Sequence, residues 1–261
     1  MDDAAALLTA YDAQLRGAAE VAGSQSSDRS GPLWRAVFAT SGFVSYESLE
    51  GVADVDALIA DTVAFYAAQP QVEEFEWKTR GHDWPADLGQ RLEAHGLEPE
   101  EIETVMVGAA QGLAVDVDLP DGVVVRRVDD LPERDAVITE AADMQRAVFG
   151  DGPTAREVLD RLDRMAGLET FWVAEADGRV VSAGRLARVE GTEFAGLWGG
   201  ATVQEWRGRG IYRALTAARA RAALAEGVRY LHSDCSAMSR PILERSGLVA
   251  VTTTTPYVWH R

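Results

Sequence analysis

The chain has 261 residues, and 47% of them are hydrophobic, which is enough to bury a sizeable core in one or two domains. A formal net charge of −17 would repel nucleic-acid phosphates, so we expect no DNA or RNA partner. The single cysteine excludes an internal disulfide framework. The four histidines are scattered without metal-ligand spacing, so we expect no metal site.

The acidic charge is concentrated in one half of the chain. Residues 1–120 carry 22 Asp and Glu against 6 Lys and Arg, a balance of −16, whereas residues 121–261 carry 20 against 19. Solubility explains this asymmetry most simply, and steering of a cationic substrate is the alternative. No apolar run approaches the ~18 residues that a membrane helix needs, and the first residues lack a signal-peptide pattern, so we expect a cytoplasmic protein.

The first half alternates predicted helices and strands. A polar break covers residues 23–31, and two strands meet at Ser41-Gly42 within residues 34–48. In chain order, the predicted elements are a helix in 1–22, these two strands, a helix at 54–68, a strand at 72–79, a helix at 85–95 and a strand at 103–108. Residues 109–121, rich in Gly, Ala and Asp, resemble a linker, so we predict two domains, 1–120 and 121–261.

The second half has a different predicted order, β-αα-βββ-α-β-α-β. Two short turns, at Asp177-Gly178 and Gly191-Thr192, indicate antiparallel hairpins between the three central strands. The predicted elements are a strand at 123–128, helices at 131–149 and 154–165, strands at 170–175, 179–189 and 193–203, a helix ending at Gly227, a strand at 229–233, a helix at 240–246 and a strand at 249–259. The second half is therefore predicted to be a mixed α/β sandwich.

The loop from Val203 to Arg213 joins a predicted strand to a long alanine-rich helix. Its two glycines let successive backbone N–H groups converge on an anion, and the helix start adds unpaired N–H groups and a positive dipole end. A phosphate or pyrophosphate is the expected ligand. The alternative is a glycine-containing turn with exposed arginines, and the flanking strand and helix favour the anion site.

This loop, Arg207-Gly208-Arg209-Gly210-Ile211-Tyr212, resembles the Arg/Gln-x-x-Gly-x-Gly/Ala motif of the GNAT superfamily of acyl-CoA-dependent N-acetyltransferases, although Tyr212 replaces the small last residue. The element order of residues 122–261 and the segment from Arg240 to Leu248 agree with that family. The resemblance implies a mixed, mostly antiparallel central sheet flanked by helices, and acetyl-CoA as co-substrate. The cofactor-binding residues that it implies are Thr202, Val203, Arg207, Gly208, Arg209, Gly210, Ile211, Tyr212 and Ser239.

The first half resembles a partial copy of the same fold without the phosphate loop. At the corresponding place the chain has Glu47-Ser48-Leu49-Glu50-Gly51, whose carboxylates would repel phosphate. We therefore expect one acyl-CoA site, in the second half, and a structural or substrate-shaping role for the degenerate first half.

The residues that match the family's usual catalytic acid and base carry no proton-transferring groups. Leu243 stands where the family often has a general-acid Tyr, and Leu197 and Gly199 stand roughly where it often has a base. The remaining candidates are Glu193, Tyr257 and Ser239. Each has a plainer interpretation: a solvated carboxylate at a strand entry, a half-buried strand aromatic and a helix N-cap.

Two further features bear on the substrate slot. Gly199-Gly200 predicts either a β-bulge that opens a slot beside the strand, or close packing of both glycines beneath a helix. Trp198, Trp206 and Trp259 are candidate pocket walls, although tryptophan in a sheet is more often a core residue.

Three functions remain open at this point. The first is N-acetyl transfer to a small amine, with a homodimer left open, and the second is a degenerate acyl-CoA-binding protein that acts as a sensor or structural element. The third is a dinucleotide-binding enzyme, since Gly208 and Gly210 open a helix after a strand. Arg213 occupies the third glycine position of that fingerprint, which counts against it.

Overall fold

The computed structural model describes residues 4–261, so the first three residues of the helix predicted in 1–22 lie outside the described residues. The chain forms two compact units. One contains residues up to Met106 together with Asp234–Ile242 and Val249–Arg261, and the other contains Val107–Ser233 and Leu243–Leu248. Within the described range, no helix has the length and apolar character needed to cross a bilayer.

The first unit is built around a meander and a parallel strand pair. Strands β1, β2 and β3 are antiparallel neighbours, β3 pairs in parallel with β4, and β4 pairs antiparallel with β12. The elements are α1 (Ala4–Leu15), β1 (Ser26–Ser30), β2 (Leu33–Phe38), β3 (Ser41–Ser45), α2 (Val55–Ala67), β4 (Glu74–Arg80), α3 (Leu88–Ala94), β5 (Glu98–Pro99), the start of β6 (Glu103–Ala109) and β12 (Val249–His260).

This unit has its own core, formed where α2 and α3 cover the strands. Tyr66 of α2 stacks on Phe75 of β4 at 4.4 Å between ring centroids, and its hydroxyl donates to the carbonyls of Ala36 and Phe43. The buried core residues of this unit include Leu33, Val37, Val44, Tyr46, Ile59, Trp77 and Leu92. These contacts explain why the helix at 54–68 and the strand at 72–79 are evident in the sequence.

Three details of the first unit differ from the sequence-based expectations. Strand β1 lies inside the predicted polar break, because Ser26–Ser30 pairs along its length with β2 although most of its residues are exposed. Helix α1 ends at Leu15 rather than near residue 22. The compact units are not contiguous and do not divide at residue 120, since β12 pairs with β4 over Thr254–His260.

The second unit contains the longer meander. Strands β7, β8, β9 and β10 are antiparallel neighbours, and β10 pairs in parallel with β11. The elements are the end of β6, α4 (Ala110–Leu113), β7 (Val124–Arg127), α5 (Arg134–Phe149), α6 (Ala155–Arg164), β8 (Glu169–Ala176), β9 (Arg179–Arg188), β10 (Phe194–Thr202), α7 (Ile211–Ala225) and β11 (Tyr230–Cys235), whose last two residues belong to the first unit; α8 (Arg240–Ser246) is divided between the units.

Helices α5 and α7 cover opposite faces of this meander. Phe171 and Ala183 pack with Ile138 of α5, whereas Ala174 and Val181 of the same strands pack with α7. Successive strand residues point to opposite faces, so the position of a residue in its strand decides which helix it meets.

The predicted linker at 109–121 is partly helical and packs against α7. It contains α4, and Arg221 of α7 donates to the carbonyl oxygen of Val115 at 2.6 Å. Leu119 joins the apolar cluster around Ile211 at the start of α7. The segment therefore supports the loop that precedes α7.

Candidate functional site

Strands β10 and β11 diverge after a short parallel contact. Their pairing covers Phe194 to Gly196 of β10, and the last pair joins Gly196 to His232. On its other side β10 bulges, because Trp198 pairs with Arg185 and Ala201 with Ala183, which leaves one extra residue on β10. The predicted bulge at Gly199-Gly200 is confirmed, and it lies beyond the last residue of β10 that pairs with β11.

The loop at the end of β10 presents a row of unpaired backbone amides. Gly208 and Gly210 take φ of +74° and +79°, which is the left-handed region that glycine adopts without strain. Among residues 4–261, nothing accepts a hydrogen bond from the amides of residues 208 through 213. These amides and the start of α7 form a concave donor surface suited to an anion.

Side chains brace this amide cradle from behind. The Nε of Arg207 donates to the carbonyl oxygen of Thr202 at 2.9 Å, which ties the loop to the end of β10. Trp206 packs in the apolar cluster around Ile211. The guanidinium of Arg209 lies 4.8 Å from the centroid of the Trp206 ring. Arg207 therefore holds the shape of the loop, in addition to any contact with a ligand.

Tyr212 stands where the motif has a small residue, and its ring packs over Gly200. A Cβ on Gly200 would stand 2.7 Å from the Tyr212 hydroxyl, so the ring covers the bulge directly. Burial lowers the pKa of Arg219 on the same helix, and a hydrogen bond to Tyr212 opposes that shift. The other possibility raised by the two glycines, close packing beneath a helix, is therefore also present, at Gly200.

The corresponding helix of the first unit has no such cradle. Helix α2 is capped by Asp54, whose carboxylate accepts from the amide of Ala57 at 2.8 Å, and Asp56 lies in its first turn. Both side chains place negative charge where an anion would bind. In the second unit, Gly210 provides no side-chain cap for α7.

Glu193 lies at the opposite end of β10 from the amide cradle. Glu193 is exposed and precedes β10, and an arginine, Arg229, approaches it at 3.7 Å. Gly199 lies six positions after Glu193, which is roughly 20 Å along an extended strand. A catalytic role for Glu193 stays a prediction. Leu243 is buried, and Leu197 lies on the face of β10 opposite Trp198. Both are leucines, whose side chains can neither give nor take a proton.

Tyr257 and Ser239 belong to the first unit. The Tyr257 hydroxyl lies against Gly89 of α3, and burial raises its pKa with a further contribution from Glu93. Ser239 accepts a hydrogen bond from the hydroxyl of Ser236 at 3.4 Å, just before the start of α8. Roles for Tyr257 and Ser239 in catalysis, and for Ser239 in coenzyme binding, stay predictions.

A polar group that the sequence interpretation missed lies beside the bulge. Glu169 is fully buried, and it accepts from Arg185 and Arg161, both at 2.8 Å. Gln145 of α5 donates to the carbonyl oxygen of Gly199. Burial lowers the pKa of Arg185, and the neighbouring Glu169 opposes that effect. In the sequence, the one sign of this group is that the polar residues Glu169 and Arg185 stand within otherwise apolar strands.

The three tryptophans have different surroundings. Trp198 is half-buried on the same face as Arg185, and its ring meets His232 edge-on at 5.3 Å. Trp206 supports the loop, and Trp259 stacks on Phe75 in the first unit at 5.6 Å. Trp198 alone of these three lies beside the bulge. Within residues 4–261, no three His, Cys, Asp or Glu side chains form a group that could hold a metal ion.

Comparison with known proteins agrees with this architecture. Residues 135–243 match the model of the acetyltransferase (GNAT) family. The chain is similar to a GCN5-related N-acetyltransferase from Kribbella flavida, with 16% identity, 98% of this chain and 93% of that chain covered, and a TM-score of 0.66. No curated protein matches the chain.

Two other solved structures have similar folds. A functionally unknown conserved protein from Staphylococcus epidermidis has 11% identity, with 92% of this chain and 95% of that chain covered and a TM-score of 0.67. A tandem GNAT protein from the clavulanic acid biosynthesis pathway has 16% identity, with 89% of this chain and 81% of that chain covered, and a TM-score of 0.62. At these identities the likeness concerns the fold, which is mixed α/β with a mostly antiparallel sheet and a partial GNAT-like N-terminal part, as predicted.

Proposed function

We propose that the protein transfers an acetyl group from acetyl-CoA to a small amine, because residues 135–243 match the model of the acetyltransferase (GNAT) family. The observation that carries the proposal is the row of unpaired amides, residues 208 through 213, at the end of a strand that diverges from its neighbour. An amide cradle beside a slot can hold a pyrophosphate and direct an attached arm along the strand.

The residues present fit coenzyme A as a co-substrate. The amides of the loop would hold its pyrophosphate, and a Cβ at Gly208 would meet nothing within 4 Å, so the cradle is open. The end of β10, at Thr202 and Val203, would lie along the pantetheine arm. The braces from Arg207 and Trp206 keep the donors in place before the ligand arrives, which limits the entropy lost on binding.

The proposed reaction is direct transfer without a covalent acyl-enzyme. The amine nitrogen forms a bond to the thioester carbonyl carbon, the carbon–sulfur bond breaks, and coenzyme A leaves as the thiol. The amine loses one proton and the thiolate gains one, so the step balances without an oxidant or reductant. The chain contributes by aligning the two reactants and by offering backbone N–H groups to the developing oxyanion.

A second candidate, an acyl-CoA-binding protein without turnover, is supported by a different observation. Leu243 is buried where the family often has an acid, and Leu197 and Gly199 carry no base. Such a protein would keep the amide cradle and lack the groups that move protons.

Thiol release separates these two functions. The protein is mixed with acetyl-CoA and a panel of small amines, and free thiol is followed against a control without amine, while calorimetry measures acetyl-CoA binding. Amine-dependent thiol release is the expected result. Binding without release from any amine would favour the second candidate, and absence of both binding and release would contradict both.

A further inference from the structure

Arg185 is held beside the bulge of β10 by a buried carboxylate. It is directly opposite Trp198 in the β9–β10 ladder, and Trp198 is the last paired residue before the bulge. Its Nη1 donates to Oε1 of Glu169, whose side chain is 0% exposed, while the side chain of Arg185 is 16% exposed. This contact fixes one nitrogen of the guanidinium and leaves the opposite edge directed elsewhere.

The opposite edge of this guanidinium has no partner in the protein. Among residues 4–261, nothing accepts a hydrogen bond from Nε or Nη2 of Arg185. These two nitrogens face Gly199, where a Cβ would stand 3.6 Å from Nε and 3.9 Å from Nη2. The same position is 3.1 Å from Nε2 of Gln145, which uses one of its two hydrogens for the Gly199 carbonyl.

The local charge also favours an anion. Two guanidinium groups, those of Arg185 and Arg161, share the single carboxylate of Glu169. Arg161 is 47% exposed, so water can solvate it, whereas Arg185 lies mostly out of solvent. A second carboxylate on the Nε–Nη2 edge of Arg185 would complete the pairing, and that edge matches the two oxygens of a carboxylate.

We propose that Arg185, assisted by Gln145, binds a carboxylate of the acceptor, so that the acceptor is an amine that also carries a carboxylate, such as an amino acid. This inference rests on the proposed acetyl transfer. Bound at the bulge, the carboxylate anchors the acceptor beside the slot and leaves its amine free to reach the thioester. Arg185 then determines which amines are accepted.

The test compares amino acids with their own carboxamides. Each pair keeps the same amine and side chain and differs in the anionic group alone. Wild-type protein is expected to use carboxylate acceptors with a kcat/KM at least ~10-fold above that of the carboxamides. In Arg185→Met, kcat/KM for the carboxylates should fall ~30- to 100-fold, whereas the value for the carboxamides should change by less than ~3-fold, because a charge-assisted pair is lost only with the former.

Arg161→Met is the matched control, since it removes the other partner of Glu169 and leaves the edge beside Gly199 in place. It should keep the preference for carboxylates. If Arg185→Met does not fold, Arg185→Lys tests the same point, because lysine keeps the charge without the two-pronged edge, and an intermediate preference is expected. Acetyl-CoA affinity and Tm are measured for every variant as checks on the fold.

The inference is overturned if wild-type protein shows no preference for carboxylates, or if the preference survives in Arg185→Met or is lost equally in Arg161→Met. If no amine is acetylated, acetyl transfer itself fails, and binding still tests the carboxylate site. Calorimetry with N-acetyl amino acids and their amides, in the presence of coenzyme A, should then show carboxylate-dependent binding that requires Arg185. Equal binding of acid and amide would reject the site.

Discussion

The ring of Tyr212 lies on Gly200, so closely that a Cβ added to Gly200 would be 2.7 Å from the tyrosine hydroxyl and from Cε2. This contact joins the first turn of α7, which carries part of the amide cradle, to the bulge of β10. Tyr212, which replaces the small residue of the motif, therefore has a packing role. The small residue in this contact is Gly200, on the strand.

The first prediction concerns that contact. Gly200→Ala should lower the free energy of unfolding by about 1–3 kcal/mol, because the added methyl group forces the Tyr212 ring to move. Urea denaturation measures the change. Gly112→Ala is the control, since a Cβ there meets nothing within 4 Å and Gly112 lies in α4; its stability should stay within about 0.5 kcal/mol. Equal effects of both changes would contradict the packing role.

The second prediction concerns pH and Glu76 in the first unit. Glu76 lines a cavity of about 210 Å³ with Glu74 and Glu100. Burial raises the pKa of Glu76 to about 7, and Glu20 and Glu100 add to this rise while Lys78 opposes it. Because the folded-state pKa lies above the unfolded value of 4.5, its contribution to stability is present below pH ~4.5 and is lost as pH rises through about 7.

The free energy of unfolding contributed by Glu76 should therefore fall by about 1–3 kcal/mol between pH 5 and pH 8. Glu76→Gln removes this titration, so the variant should equal wild type near pH ~5 and be more stable near pH ~8. Glu74→Gln, in the same cavity but 52% exposed, should change stability by less than about 0.5 kcal/mol at either pH. Parallel pH profiles for wild type and Glu76→Gln would contradict the raised pKa.

The third prediction concerns a buried ion pair, also in the first unit. The Nζ of Lys78, the only lysine in the chain, lies 2.5 Å from Oδ2 of Asp234, and their side chains are 17% and 5% exposed. Burial alone would lower the pKa of Lys78, but the effect of Asp234 prevails and raises it. Lys78→Met takes a cation away from the buried carboxylate of Asp234, so it should lower the free energy of unfolding by about 3–5 kcal/mol.

Urea denaturation of a double variant tests whether the loss of stability comes from breaking the Lys78–Asp234 ion pair. Lys78→Met combined with Asp234→Leu should recover much of the lost stability, because both charges are then absent. Arg156→Met supplies the surface control, since Arg156 pairs with Asp160 while 84% exposed, and its loss should change stability by less than about 1 kcal/mol. A double variant that is less stable than Lys78→Met would point to a role beyond charge pairing.

The sequence predicted the local elements of the second half well, for physical reasons. The hairpin turns at Asp177-Gly178 and Gly191-Thr192 join strands that are buried on both faces. The apolar runs of these strands made the strands easy to predict. The glycines of the loop at 207–212 require positive φ, and the structure has it at Gly208 and Gly210. Strand β1 was missed because its exposed residues carry no alternating apolar pattern.

Non-local features were beyond the sequence-based interpretation. The pairing of β12 with β4 joins residues more than 170 positions apart, and no local pattern encodes it. Likewise, Arg185 meets Glu169 only because the β8–β9 ladder and the bulge place them together, and Gln145 arrives from a helix. The amide cradle is a single stretch of chain, so it could be predicted from the sequence, whereas the polar group at the bulge combines distant segments.

An isotherm of acetyl-CoA binding tests most directly whether the protein has one acyl-CoA site, at the amide cradle. Gly208 has φ of +74° and open space around it. Asn and Asp tolerate this left-handed conformation better than other side chains, so Gly208→Asn and Gly208→Asp carry a similar strain and differ mainly in charge. Wild-type protein should bind one acetyl-CoA per chain. Gly208→Asn should bind within ~5-fold of wild type, and Gly208→Asp should bind at least ~30-fold more weakly, because its carboxylate faces the phosphates. Two equivalent sites per chain, or equal affinity of the Asn and Asp variants, would contradict a single acyl-CoA site at the amide cradle.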